Sequence, residues 1–124
     1  MKKFFIISIL STLLLSNSDC HHKKQAVAKF KGRLEIKGIC MNYTISVLEG
    51  DMDTSKIEAI WTDENTNKSY QNVFGLARPC SFPASIREKD EFYFVIDDAT
   101  QACMVCEAYY PTPKKKLAIK VIDK

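Results

Sequence analysis

The side chains with the most reactive chemistry in the body of this sequence are four cysteines: Cys40, Cys80, Cys103 and Cys106. The last two are separated by two residues in the stretch "QACMVCEAYYPTP". Such a spacing occurs in thiol–disulfide catalysts, in half of a tetrathiolate zinc site, and at the ends of two separate disulfide bonds. The flanking sequence discriminates between these three kinds of chemistry.

A redox or metal role for the closely spaced pair is disfavoured by its surroundings. A dithiol catalyst of the thioredoxin type has its first Cys at a helix N-terminus, whereas "CMVCEAYY" predicts a strand over residues 103–110. A tetrathiolate zinc site usually has two closely spaced pairs, but Cys40 and Cys80 are single and far apart. Haem attachment is excluded because Glu107 follows the second Cys, where His is required.

The remaining interpretation is two long-range disulfide bonds. Residues three apart in an extended strand are separated by roughly 10 Å, and a disulfide needs Cα atoms within about 7 Å. Cys103 and Cys106 should therefore bond to Cys40 and Cys80 rather than to each other. Two pairings satisfy this rule, and we favour Cys40–Cys106 with Cys80–Cys103. Each bridge would close a long loop, which typically stabilises a protein by about 2 to 4 kcal/mol.

The N-terminal sequence "MKKFFIISILSTLLLSNSDC" predicts export. A basic start precedes an apolar run over residues 4–15, which suits a signal peptide and is short for a membrane span of about 20 residues. We favour a signal peptide over residues 1–19 followed by lipidation of Cys20. The alternative is cleavage after Ser18 by an ordinary signal peptidase, with small residues at the recognised positions.

The cysteine count agrees with lipidation. The chain has five cysteines, and using Cys20 as a lipid carrier leaves an even set for disulfide bonds. We then expect a flexible tether over residues 20–29 and a single β domain over residues 30–124. The expected location is the bacterial outer membrane or cell surface, with a periplasmic or secreted protein as the alternative.

The charge balance excludes one class of partner. The whole chain has a formal net charge of +3, and from Cys20 onward, without Lys2, Lys3 and Asp19, the charge is +2. Such a small excess of positive charge does not indicate a nucleic-acid-binding protein. The expected partners are the membrane, through the lipid, and an envelope protein or glycan; no cofactor and no metal ion is expected.

The hydrophobic pattern predicts an all-β domain. Apolar residues alternate with polar ones, and the phase of the alternation shifts at Gly38, which indicates a bend. We predict strands over 30–48 (one long strand bent near Gly38), 56–63, 70–77, 91–96, 103–110 and 114–123. A long bent first strand is typical of small barrels, so we expect five to six strands in a barrel resembling the OB-fold, with an open β-sandwich as the alternative.

Several aromatic residues could form a binding surface. Phe92, Phe94 and Ile96 share one face of a predicted strand and should be core, so Tyr93 should point outward. An exposed aromatic patch would let sugars or peptides stack, although the rings could equally cover a second face of a thin domain. The candidate surface residues are Trp61, Tyr70, Tyr93, Tyr109 and Tyr110.

Other reactive constellations are weak. The only histidines, His21 and His22, fall in the predicted tether, so a small hydrolase lacks the usual general base. With cleavage after Ser18, the free N-terminus and His21 could bind Cu(II) or Ni(II). The acidic turn at 49–53 resembles the start of a calcium loop, but Lys56 stands where such a loop requires Gly.

The sequence resembles the small uncharacterised lipoproteins that Bacteroidota export in large numbers. The resemblance rests on the signal ending at Cys20, the lysine-bearing tether "CHHKKQ", and the body from "GICMNYTISVL" through "EFYFVI" to "CMVCEAYYPTPKKKLAIKV". It implies export and disulfides but no assigned activity. The favoured hypothesis is a non-enzymatic envelope lipoprotein whose disulfide-stapled barrel binds protein or glycan. The alternative is an exported metal-binding or thiol-redox protein that uses the four body cysteines.

Overall fold

A computed structural model of the chain describes residues 27–99 and 102–124. The predicted signal peptide, Cys20, both histidines and the tether up to residue 26 lie outside the described residues. The six strands are Phe30–Lys37 (β1), Tyr43–Glu49 (β2), Glu58–Thr62 (β3), Ser69–Ala77 (β4), Glu91–Ile96 (β5) and Lys116–Ile122 (β6). Short 3-10 turns lie at Ile39–Met41, Thr54–Lys56 and Pro79–Ser81. None of the helical segments in the described part of the chain has the length and apolar character needed to cross a bilayer.

Five of the strands close into a barrel. Their order around the barrel is β1-β2-β4-β6-β5, and β5 pairs back to β1. All of these pairings are antiparallel except that of β4 with β6, which is parallel. The remaining strand, β3, pairs with β4 outside the closed ring. The prediction of a small all-β barrel resembling the OB-fold is therefore confirmed, and the open sandwich is not adopted.

The core of the barrel follows the predicted alternation. Phe92 and Phe94 on β5 point inward, Ile96 packs against the core, and Tyr93 faces outward. The Phe94 ring also contacts Phe74 of β4, with the ring centroids 5.8 Å apart. Burying a side chain of this size stabilises a protein by about 2 to 3 kcal/mol. The other buried apolar residues of this cluster are Phe30, Leu34, Ile45, Met52, Ile57, Leu76, Leu117 and Ile119.

The predicted long strand over residues 30–48 is wrong, because the chain reverses direction near Gly38. β1 and β2 form an antiparallel hairpin, joined by a turn in which Cys40 and Met41 adopt left-handed φ values of 54° and 58°. The Asn42 side-chain amide closes this turn by donating to the Ile39 carbonyl at 2.9 Å. A Cβ atom at Gly38 would lie only 2.6 Å from the Asn42 carbonyl oxygen, so the turn requires glycine there.

The predicted strand over residues 103–110 is also wrong. In the structure, residues 102–113 form an extended loop without ladder pairing, inside the long connection from β5 to β6. Two features explain this. Cys103 and Cys106 are bonded to different parts of the barrel, and the buried Pro111 and Pro113 have no N–H group for a ladder.

The interior of the β2 strand provides a stability test. Thr44 is fully buried, and its hydroxyl has no hydrogen-bond partner among the described residues. Because a buried hydroxyl without a partner is destabilising, Thr44→Val should raise the free energy of unfolding by about 1 kcal/mol. Ser46→Ala is the matched control, since the Ser46 hydroxyl is also buried but donates to Glu35 at 2.8 Å. Chemical denaturation should show that Thr44→Val raises the free energy of unfolding and that Ser46→Ala lowers it. An equal decrease in both variants would contradict this prediction.

Candidate functional site: a cationic groove on the barrel wall

A groove of about 460 Å³ lies on the outer wall of the barrel. It lies across β1, β2 and β4, together with the turn that precedes β5. The side chains that define this cationic groove are Arg33, Glu35, Ser46, Lys68, Tyr70 and Lys89. Most of them are polar or charged, so the groove suits a ligand that offers hydrogen bonds and charge.

Glu35 is the buried centre of the cationic groove, with only 4% of its surface exposed. Its Oε1 atom accepts hydrogen bonds from Arg33 Nε at 2.7 Å and from the Ser46 hydroxyl at 2.8 Å. Its Oε2 atom accepts from Lys89 Nζ at 2.9 Å. The register of β1 against β2 shifts between Leu34 and Ile36, which is how three consecutive residues of this strand are all buried.

The protonation state of Glu35 follows from these contacts. Burial raises the pKa of a carboxyl because it disfavours the charged form. The hydrogen bonds from its three partners and the positive charge of Lys89 act in the opposite direction and outweigh burial. The pKa of Glu35 therefore lies below its ordinary value of 4.5, and the side chain is an ionised carboxylate at neutral pH.

Lys89 reaches Glu35 because the backbone of its turn is fixed to β1. The Lys89 N–H donates to the Leu34 carbonyl at 2.7 Å, and the Leu34 N–H donates to the Asp90 carbonyl at 3.1 Å. Lys89 has a left-handed φ of 74°, a conformation that favours glycine over a long side chain. The turn thus holds a lysine where its ammonium group meets the buried carboxylate.

Tyr70 forms the aromatic part of the cationic groove. Its ring stacks on Trp61, the residue opposite it on β3, with the centroids 6.1 Å apart. The ammonium groups of Lys68 and Lys89 lie 5.8 Å and 5.7 Å from the centre of the same ring. The ring is therefore surrounded by an aromatic neighbour and two cations, and burial raises the pKa of its hydroxyl.

Tyr109 lies beside the same aromatic pair but in a second, smaller groove of about 210 Å³ that Trp61 also lines. Its side chain is 77% exposed, and its hydroxyl donates to Glu64 Oε1 at 2.7 Å. The structure thus brings together three of the candidate aromatic residues. Tyr70 lines the cationic groove, and Trp61 and Tyr109 line the smaller groove.

The other two candidate aromatic residues lie elsewhere. Tyr93 on β5 contacts the ammonium groups of Lys29 and Lys31, at 5.5 Å and 6.0 Å from the ring centre. Tyr110 is half-buried and covers Gly38, where an added Cβ atom would lie 2.7 Å from the Tyr110 ring. The five predicted residues therefore do not share a single contact surface.

The four body cysteines form two disulfide bonds, Cys40–Cys106 and Cys80–Cys103. This is the pairing that the sequence favoured, and the Cα atoms are 5.1 Å and 5.6 Å apart. The first bridge ties the β5–β6 connection to the turn between β1 and β2, and the second ties it to the segment after β4. Within residues 27–99 and 102–124, no three His, Cys, Asp or Glu side chains are grouped to hold a metal ion.

The residues at the centre of the cationic groove were not found from the sequence. Arg33 and Glu35 occupy positions of β1 that the alternation assigns to solvent. Burial of Glu35 depends on the irregular register of β1 and on Lys89, which is more than fifty residues away in the chain. The only local signal was a charged pair of opposite sign, spaced by two residues on one strand face.

Glu35 should make the stability of the protein depend on pH. Its lowered pKa means that its contribution is present above its ordinary pKa and is lost as the pH falls through the lower folded-state pKa. Glu35→Gln should lower the free energy of unfolding by about 2 kcal/mol at neutral pH, with a smaller difference in acid. Denaturant unfolding at several pH values measures this.

The exposed Glu91 provides the control for this experiment. Its ion pair with Lys31 is 3.8 Å long and solvent-exposed, so Glu91→Gln should change the stability by less than about 1 kcal/mol. A Glu35→Gln effect that is the same at neutral pH and in acid would contradict an ionised, hydrogen-bonded Glu35. A Glu35→Gln variant as stable as the wild-type protein at neutral pH would do so as well.

Comparison with known proteins does not assign a function to this groove. No family model, no curated protein and no solved structure matches the chain. The chemistry of the site is therefore argued from its own residues.

Proposed function

We propose that this protein is a non-enzymatic exported envelope lipoprotein, anchored by a lipid on Cys20, whose stapled barrel presents the cationic groove to a glycan. The N-terminal sequence supports export, and the two disulfide bonds are of the kind that persists in oxidising compartments. In this proposal the tether holds the barrel at the membrane, and the barrel wall is the recognition surface.

The observation that carries the proposal is the fixed geometry of the cationic groove. Glu35 holds the Arg33 and Lys89 side chains in place before any ligand arrives, through bonds of 2.7 Å and 2.9 Å. A site whose polar groups are already positioned loses less conformational entropy on binding. Barrels of the OB type also use this part of the wall to bind oligosaccharides and oligonucleotides, which supports the proposal by analogy of fold.

The composition of the groove favours a glycan over a protein as the ligand. Hydroxyl and amide groups follow one another along β4 at the groove, from Ser69, Tyr70, Gln71 and Asn72. Sugars offer many hydroxyl groups that such side chains can bind. Protein partners instead place large apolar or aromatic anchors in desolvated pockets, and the apolar and aromatic lining of this groove is only Val47, Leu48 and the Tyr70 ring.

The alternative of a metal or thiol-redox protein has less support. Both kinds of chemistry need thiolates, as metal ligands or as nucleophiles. The sulfur atoms of the four body cysteines are joined in two bridges between distant parts of the chain. The closely spaced Cys103 and Cys106 are not bonded to each other, as a catalytic disulfide of that spacing would be.

Two asparagines allow a matched test of glycan binding. Asn72 lines the cationic groove with a φ of 52°, and Asn67 lies in the β3–β4 turn with a φ of 62°. Glycine suits both conformations, so Asn72→Gly and Asn67→Gly should fold equally well. We expect at least one soluble polysaccharide to retard the wild-type protein in affinity electrophoresis. Asn72→Gly should weaken that binding by about threefold to tenfold, and Asn67→Gly should not.

Two outcomes would contradict the proposed function. The first is that no polysaccharide in a panel of neutral and acidic polymers retards the wild-type protein. The second is that retardation occurs but is equal for the wild-type protein and the Asn72→Gly variant at matched thermal stability.

A further inference from the structure

We infer that the glycan bound in the cationic groove is acidic, a polysaccharide whose sugar units carry carboxylate groups. This inference rests on the proposed function and specifies its ligand class. Four observations support it: the local excess of positive charge, the fixed Arg33 side chain, the backbone of Lys89, and the surroundings of the Tyr70 ring.

The cationic groove has a local excess of positive charge. Arg33, Lys68 and Lys89 face a single carboxylate there, which leaves a formal charge of +2. The whole chain from residue 20 onward also has a formal charge of only +2. The formal charges of the rest of that chain cancel, and the local excess in the groove would attract a negatively charged ligand.

Two further carboxylates, Asp63 and Glu88, lie near enough to act on the Tyr70 hydroxyl, so they reduce the positive excess at that end of the groove from outside its lining. Asp63 is buried and accepts from the Asn65 N–H and the Thr66 hydroxyl in the β3–β4 turn. Glu88 accepts from the backbone N–H of Lys37 at 2.8 Å. Neither of the two carboxylates lines the groove.

Arg33 is placed to bind a carboxylate of the ligand. Its Nε atom is committed to Glu35, which fixes the plane of the guanidinium group, and the side chain is 40% exposed. Among the described residues, no acceptor is bonded to its terminal nitrogens. A guanidinium group held in this way can bind a ligand carboxylate through two parallel hydrogen bonds.

Lys89 is a cation of the groove in a left-handed backbone conformation that favours glycine. Its φ of 74° would suit glycine, yet a lysine stands there with its side chain 55% exposed and its ammonium group on Glu35. Non-glycine residues held in this region cost of order 1 kcal/mol or more and cluster at functional sites. A role for the ammonium group in ligand binding accounts for the lysine at this position.

The surroundings of Tyr70 argue against a neutral sugar as the main ligand. A neutral sugar is usually recognised by stacking on an open aromatic face. Trp61 and two ammonium groups already lie against the Tyr70 ring, all within 6.1 Å of its centre. The Tyr70 ring therefore contacts two ammonium groups, and the surface around it is positively charged.

The lining of the groove favours an acidic glycan over an acidic peptide. Extended peptides commonly bind by adding a strand to an open sheet edge. Residues 69–71 of β4 pair only with β3, so one such edge lies beside the groove, and the poly-glutamate probe below tests whether a peptide uses it. An acidic glycan, with carboxylates spaced among hydroxyl groups, matches cations interspersed with amides and hydroxyls.

Binding to matched polymers tests this inference directly. The probes are polygalacturonate, alginate and hyaluronan, each compared with its methyl-esterified form, in which the carboxylates are neutral. We expect at least one acidic polymer to bind the wild-type protein about tenfold or more tightly than its ester, because removing one hydrogen bond between charged groups weakens binding by about that factor. The difference should shrink as salt is added.

Variants locate the effect within the groove. Arg33→Gln and Lys89→Gly each remove one cation, and glycine suits the backbone at residue 89, so the second variant should remain folded. Both should weaken binding of the acidic polymer about tenfold. Lys31→Gln is the control, since Lys31 lies on β1 but contacts Tyr93 and Glu49 rather than the groove. Circular dichroism and thermal unfolding confirm that the variants are folded.

The outcomes separate this inference from the proposed function. Equal binding of an acidic polymer and its ester would overturn the carboxylate inference while leaving glycan binding in place. Equally tight binding of poly-glutamate would overturn the choice of a glycan as the acidic ligand. Binding of no polysaccharide at all would overturn both proposals.

Discussion

The barrel depends on one short parallel pairing, in which three residue pairs, from Gly75–Lys116 to Ala77–Ala118, join β4 to β6. Parallel strands cannot be joined by a tight turn. The long connection from β5 therefore has to place β6 beside β4. That connection is fixed by the two disulfide bonds and by the Lys114 N–H, which donates to Glu58. A domain of this size buries only about two thirds of its unfolded surface, so such cross-links contribute substantially to its stability.

Closure of the barrel also creates the cationic groove. Because β4 is held by β6 on one side, its other side can pair with β2, and this brings Tyr70 and Asn72 alongside β1. Glu35 then occupies a position that is buried and surrounded by donors. The carboxylate, Arg33 and Lys89 stabilise one another there, and their hydrogen bonds fix the geometry of the groove.

The sequence predicted the elements whose pattern is local. The residue pattern predicts β5 and β6, and the cysteine spacing predicts that Cys103 and Cys106 bond to Cys40 and Cys80 while leaving two pairings open. The pattern at Gly38 predicts a bend and not a turn, because a phase shift of one residue looks the same in a bulge and in a tight turn. The residue types over 103–110 predict a strand, whereas the disulfide bonds of Cys103 and Cys106 determine the path of this loop. Glu35 was missed because its partner Lys89 is distant in the chain.

The most direct test of this account is a map of backbone amide shifts in a ¹⁵N-labelled protein titrated with acidic oligosaccharides. The probes are prepared from polygalacturonate, alginate and hyaluronan. If the cationic groove is the binding site, the largest shifts will occur at residues 33–35, 46–48 and 68–72 and at Lys89. Shifts confined to the Tyr93 face or to the loop at residues 102–110, with none on β4, would contradict it.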